Sequence, residues 1–266
     1  MKKIISVVLV LVLVLAFSAC SKKESTERKL DSIETSKTMV VYIDPNFPPF
    51  EFMGEDGPEG VDVEIAKEIA KELGVNIEFH TANFDSIIMA IKGGKGDIAI
   101  SGMTITDERK ESVDFSDPYI NSVQYLITKE DSSLTTIESL AGQNIGVAKG
   151  YTGSLLIDDE INLEEGVLNG KGSSFTEYPS AMEATLDLMN DKISCVIMDE
   201  YVAKNIVSNN EGLKAVELAY DNGDLAAEEY GVVVAKGNED LLEIINKVIS
   251  KLIEEGKIEE WIIQFA

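Results

Sequence analysis

Histidine, tryptophan, cysteine and positive charge are all scarce in this chain of 266 residues. With His80 as the one histidine, no zinc site built from several imidazoles is expected, and Ser-His-Asp or Cys-His chemistry would have to run through that single ring. It follows Phe79 with no nucleophile motif nearby, so it reads as structural or solvent-facing. Two cysteines, Cys20 and Cys195, exclude a disulfide-stapled scaffold. Cys195 lies in the apolar run Cys195-Val196-Ile197-Met198 and reads as a small buried hydrophobe. Lys and Arg number 23 against 48 Asp and Glu, a formal net charge of −25. Such a chain is repelled by phosphate backbones and anionic headgroups, so nucleic-acid binding and electrostatic membrane adhesion are disfavoured. G-x-x-x-x-G-K-[ST], G-x-G-x-x-G after a strand, H-E-x-x-H and EF-hand spacing are all missing, so no nucleotide cradle, cofactor or metal site is expected. The acids are dispersed, most of them on solvated helix faces such as that of Glu254, Glu255, Glu259 and Glu260.

The long apolar run from Ile4 to Phe17 follows Lys2 and Lys3 and is short for a transmembrane helix, as expected of a signal peptide. Phe17-Ser18-Ala19-Cys20 resembles the lipobox of bacterial lipoproteins, with Phe17 where leucine is usual. The resemblance implies a signal peptide over residues 1–19 and a lipid on Cys20; a plain secretory peptide is the alternative. Cleavage before Cys20 removes Lys2 and Lys3 and takes the formal charge from −25 to −27. The polar stretch that follows makes residues 20–36 a flexible tether. Stable anchoring takes more than one acyl chain.

From Met39 onward, short apolar strands alternate with amphipathic helices. Strands are expected at 40–43, 75–79, 97–101, 124–128, 144–148, 194–198 and 230–235. Asp62 reads as the N-cap of a helix carrying Ile65, Ala66, Ile69, Ala70 and Leu73 and stopped by Gly74. Further helices are expected over 84–91, 153–161 and 200–207, and from the capping box at Ser180 with Leu186 and Met189 inward. Asn238 caps a last helix through Ile253. The alternation predicts an α/β protein with largely parallel sheets, in two halves of roughly 100 residues each.

Three blocks carry a resemblance. The first is Tyr42-Ile43-Asp44-Pro45-Asn46-Phe47-Pro48-Pro49-Phe50-Glu51-Phe52 with Gly60-Val61-Asp62-Val63-Glu64. The second runs from Gly96-Asp97-Ile98-Ala99-Ile100-Ser101-Gly102-Met103-Thr104-Ile105-Thr106-Asp107-Glu108-Arg109 to Asp114-Phe115-Ser116-Asp117-Pro118-Tyr119. The third is Gly146-Val147-Ala148-Lys149-Gly150-Tyr151-Thr152, with Met198-Asp199 later. Together they resemble the family 3 extracellular solute-binding proteins, the polar amino-acid receptors of ABC importers. The resemblance implies two Rossmann-like lobes joined by a two-strand hinge, the type II periplasmic-binding-protein fold. Lobe 1 would take residues 37–120 plus 229–266, and lobe 2 residues 122–222. It also implies a protein outside the plasma membrane, lipid-anchored there, monomeric, and working with permease and ATPase subunits.

The chemistry is coherent on its own terms. A free amino acid is a zwitterion, and burying it requires both charges to be paired. Arg109 can clamp the α-carboxylate bidentately, with backbone N–H groups near Gly102 and Thr104 adding to it. Asp199 follows a buried strand, where α/β sheets place ligands, and matches the aspartate that receives the α-ammonium. Ser101 and Thr152 can supply hydroxyl contacts. Phe47 and Phe84 match the aromatic walls around the ligand side chain. Asp44 matches a position that meets its polar end, which favours glutamine or a basic amino acid over an acidic one. Gly150-Tyr151-Thr152 departs from the usual Gly-Thr-Thr or Gly-Ser-Thr, and Ser194 stands where aspartate is usual. No catalytic residue is expected. The alternatives are a cyclic-acid dehydratase-like enzyme on the same fold, with Glu51 as a weak acid-base candidate, and a sensory ligand-binding module.

Overall fold

The computed structural model describes residues 30–266. The expected signal peptide, Cys20 and residues 21–29 of the expected tether lie outside the described residues. The last seven tether residues form a helix, α1 (Leu30–Ser36), with Ile33 fully buried. Leu30 and Ile33, three positions apart, put two apolar side chains on one face, which is enough to dock it.

The strands follow as β1 (Thr38–Ile43), β2 (Asn46–Phe47), β3 (Glu51–Met53), β4 (Pro58–Glu59), β5 (Asn76–Thr81), β6 (Ile98–Ala99), β7 (Val113–Phe115) and β8 (Ile120–Lys129). Then come β9 (Asn144–Ala148), β10 (Ser174–Tyr178), β11 (Cys195–Asp199), β12 (Leu213–Glu217), β13 (Ala227–Tyr230) and β14 (Val233–Ala235). The helices after α1 are α2 (Val61–Leu73), α3 (Phe84–Lys92), α4 (Asp107–Lys110), α5 (Thr152–Asn162), α6 (Ala181–Met189), α7 (Glu200–Ser208), α8 (Glu239–Glu254) and α9 (Lys257–Phe265).

The first lobe is built on a sheet of order β5-β1-β6-β14-β7, the second on a sheet of order β10-β9-β11-β8-β12. A small sheet, β2-β3-β4, lies beside the first. The expected parallel pairing holds for one half of each sheet. β1 runs parallel to β5 and β6, and β9 parallel to β10 and β11. β14 is antiparallel to β6 and β7, and β8 to β11, β12 and β13. The cause is the crossing. The chain leaves the first lobe along β8 and returns along β13 and β14, so the crossing strands oppose their neighbours. The single strand expected over 230–235 is therefore two, broken at Gly231-Val232 and shared between lobes.

Two helix details depart from expectation. Gly60, not Asp62, precedes α2 as its cap, and Asp62 lies in the first turn with its carboxylate fully buried. In α6 the cap is as expected, Ser180 Oγ accepting from the Glu183 N–H at 3.3 Å. The inward stripe, however, is Ala181, Ala184, Thr185 and Leu188, while Leu186 and Met189 are 51% and 41% exposed. The cap fixes the phase, and residues 181, 184, 185 and 188 then share one face. Leu188→Ala is expected to cost about 2–5 kcal/mol in urea unfolding and Leu186→Ala no more than about 0.5 kcal/mol. Equal costs would contradict this phase.

Apolar packing continues from the first lobe through the aromatic residues of the cleft to one face of the second sheet. A separate cluster including Leu126, Ile145, Ile157 and Leu218 covers that sheet's other face. Among the described residues no helix is long and apolar enough to cross a membrane.

Candidate functional site

The cleft is made by loops after β1, β6, β9 and β11, so strand ends from both sheets converge there. Helix α4 is one turn long, and Thr106 caps it by accepting from the Arg109 N–H at 3.1 Å. This turn aims Arg109 into the cleft, where it is 7% exposed. Its Nη1 donates to the Thr104 carbonyl at 2.7 Å, and its Nη2 reaches the other lobe to donate to the Gly150 carbonyl at 3.1 Å. The guanidinium lies over the Phe84 ring, 5.3 Å from its centre. Burial lowers its pKa; the charges of Glu228 and Asp199 oppose that shift.

Asp199 ends β11 and is buried. By position it caps α7, but its side chain turns into the cleft instead. Oδ1 accepts from Gln124 Nε2 at 2.6 Å, and Oδ2 from the Tyr230 hydroxyl at 2.6 Å. Burial raises its pKa, and these two hydrogen bonds pull against it.

Glu228 was not legible as a site residue. It is buried on β13, with Oε1 accepting from the Thr152 and Thr104 hydroxyls. Burial first, then the Asp199 charge, push its carboxyl well up. In β13, Glu228 and Tyr230 are buried while Ala227 and Glu229 are exposed. That two-residue alternation, which places Glu228 on the same face as Tyr230, was the available signal. Thr104, Thr152, Gln124 and Glu228 also border a groove of about 650 Å³ along the hinge strands.

Ser101 and Gly102 support the site from below. Ser101 Oγ accepts from the Asp44 N–H at 2.9 Å and donates to Glu51 Oε1 at 2.6 Å. Gly102, expected to offer its N–H to a ligand, gives it to Asp62 Oδ2 at 2.7 Å. Its φ is 51°, and a Cβ there would meet the Phe47 ring at 2.2 Å, so no larger residue fits. Tyr119 donates its hydroxyl to Asp62 Oδ2 at 3.0 Å. Glu51 and Asp62 thus form a fully buried carboxylate pair under the loop. Burial, then the Asp62 charge, push the Glu51 carboxyl well up. The acid weighed for acid-base work is therefore a buried brace.

Phe47 and Phe84 are both buried at the cleft, as expected. So is Tyr151, whose ring stacks on Phe84 at 4.1 Å between centres and lies 5.6 Å from Phe47. Asp44 accepts from Asn46 Nδ2 at 2.6 Å and from the Phe84 N–H at 3.0 Å. Burial raises its pKa, and those bonds oppose the shift. Phe50 belongs to the core, and the half-buried Phe52 packs on Phe265. His80 is half-buried, its Nε2 2.7 Å from the Glu78 carboxylate. Cys195 is free and buried, and burial pushes its thiol up to about 12. Among the described residues no cluster of His, Cys, Asp or Glu could hold a metal ion.

Comparison with known proteins fits this geometry. The profile of "Bacterial extracellular solute-binding proteins, family 3" matches residues 39–265. A protein of Neisseria gonorrhoeae named "Probable histidine-binding protein" is 31% identical over 92% of this chain and 89% of its own. The L-cystine-binding protein of Escherichia coli strain K12 is 30% identical over 90% of this chain and 86% of its own. The amino-acid ABC transporter substrate-binding protein of Streptococcus pneumoniae, solved bound to L-arginine, superposes with a TM-score of 0.79. It is 32% identical and covers 88% of this chain and 96% of its own.

Proposed function

The chain belongs to the bacterial extracellular solute-binding proteins, family 3, and from that premise we propose that it captures a polar amino acid for an ABC importer. The observation that carries the reading is the burial of Arg109 and Asp199 in one cleft although Arg109 stands on a helix of the first lobe and Asp199 at the end of a strand of the second. A cation and an anion so placed can pair both charges of a zwitterion, and only when the lobes meet around it.

In this reading Arg109 takes the α-carboxylate with Thr104 and Thr152, and Asp199 takes the α-ammonium. Phe47 and Phe84 flank the side chain, whose polar end meets Asp44. Ser101 and Gly102 hold these loops in place. Lobe 1 comprises residues 37–120 plus 229–266 and lobe 2 residues 122–222; Cys20 carries the lipid anchor. Binding favours the closed arrangement, which the permease then recognises. Several relatives and solved neighbours are named for arginine or histidine, which supports a ligand with a cationic or amide-bearing side chain.

A thermal-shift screen over the twenty amino acids tests this. At a ligand concentration 100 times Kd, linkage adds about 2.7 kcal/mol, a rise of roughly 5–10 °C for a protein of this size. Glutamine or a basic amino acid should give the largest rise. A largest rise with glutamate would contradict the role given to Asp44.

A further inference from the structure

We propose that Tyr151 sets specificity by filling the side-chain compartment itself, so that its phenol and a ligand's side chain compete for one place. The inference rests on the amino-acid-receptor reading, but it comes from a different observation. Three groups are assigned to a ligand side chain: Phe84, Phe47 and Asp44. All three are engaged by Tyr151. Its ring stacks on Phe84 with centres 4.1 Å apart and planes 29° from parallel. It is tilted at 39° to Phe47, 5.6 Å away. Its hydroxyl interacts with the Asp44 carboxylate. An aromatic ring between aromatic walls with a polar tip on a carboxylate is how an amino-acid side chain would be held there.

The placement is built in by the backbone. Tyr151 directly precedes α5, and its N–H donates to the Ala148 carbonyl at 3.2 Å. On one side the Gly150 carbonyl accepts from Arg109. Next to it Lys149 pairs with Asp85 across the cleft at 2.8 Å. The second-lobe loop is thus fastened to the first lobe at the two residues that precede the phenol. Tyr151 is buried against both Phe84 and Phe47, so a ligand's long side chain held between those two rings takes the place of the phenol. Such a ligand must turn the phenol out and replace its stack and its hydroxyl contact. A ligand with a short side chain need not. Tyr151 therefore weakens the binding of long side chains relative to a chain with a small residue there, without removing the preference that Asp44 gives to a polar or cationic end, and it also holds the lobes together with no ligand involved.

The test uses the mature protein with Tyr151→Ser and Tyr151→Phe, titrated calorimetrically with L-arginine, L-glutamine and L-alanine. Small-angle scattering on the same proteins without amino acid gives the second arm. Tyr151→Ser should bind arginine about 10-fold more tightly or better, with little change for alanine. Tyr151→Phe keeps the stack and should fall between. Without amino acid, Tyr151→Ser should be more expanded than the unaltered protein. Arginine binding by Tyr151→Ser that is equal or weaker overturns the proposal, because the phenol would then be a wall the ligand leans on. If no protein in the set binds any amino acid, the receptor reading fails, and scattering alone decides: equal radii overturn the role of Tyr151, and an expanded variant supports it.

Discussion

Arg109→Ala should abolish amino-acid binding, raising Kd by about 10²–10³-fold in calorimetry. Among the described residues the guanidinium is the one buried cation, and it shares the cleft with Asp199, Glu228 and Asp44. Removing it takes the partner from an α-carboxylate and leaves that anion facing buried carboxylates. Breaking a buried pair in this way costs about 3–5 kcal/mol, and each 1.4 kcal/mol is a decade in Kd. Arg109→Lys keeps the charge, but a lysine cannot form the fork that joins the Thr104 and Gly150 carbonyls, so most of the loss should persist. Asp199→Ala attacks the opposite end of the zwitterion and should be as damaging, with circular dichroism unchanged in both variants. Affinity retained by both alanine variants would sink the site assignment.

The second large effect is on stability. The protein should be more stable at pH 4.5 than at pH 7, with Tm falling by several degrees across that interval. Burial pushes the Asp62 carboxyl from 3.8 up to about 6, against the bonds from Gly102 and Tyr119. Between those two values the folded chain keeps a proton that the unfolded chain releases. The stabilisation is therefore full below 3.8 and is lost as pH rises through about 6. A shift of that size is worth about 3 kcal/mol. Glu51, Asp44, Asp199 and Glu228 are all raised in the same direction by burial, so none of them cancels the slope. The mutual repulsion of a chain with a net charge of −25 acts the same way. Asp62→Asn should flatten the profile. A Tm that rises from pH 4.5 to 7 would rule this account out.

Strand and helix positions were largely legible because each depends on local alternation and caps. Asn144–Ala148 appeared with the expected bounds, and Gly74 stops α2 with a left-handed φ of 65°. Strand direction was not legible. It depends on where the chain crosses between lobes, which no window of alternation reports. The inward face of α6 was misread because Leu186 and Met189 are more apolar than Ala184 and Thr185, while the cap, not hydropathy, sets the phase. Around the site, the expected cleft residues Arg109, Asp199, Phe47 and Phe84 are brought together. Glu228 escaped notice because an acidic residue in an acid-rich chain looks like surface. Asp62 was read as a cap because acids near helix starts usually are. Tyr151 was noticed only as a departure, since its consequence needs the distance to Phe84.

The crossing strands carry a mechanical consequence. β8 and β13 are locked in register over four pairs, Ile120 with Tyr230 through Val123 with Ala227. Sliding one against the other would require a slip of two residues, about 7 Å, to restore the same faces. Translation of one half past the other is therefore blocked, and what the ribbon permits is twist and bend about its own length. The contacts at the mouth, Arg109 to Gly150 and Lys149 to Asp85, sit at adjacent residues of one loop, so a twist or a bend of the ribbon strains both together.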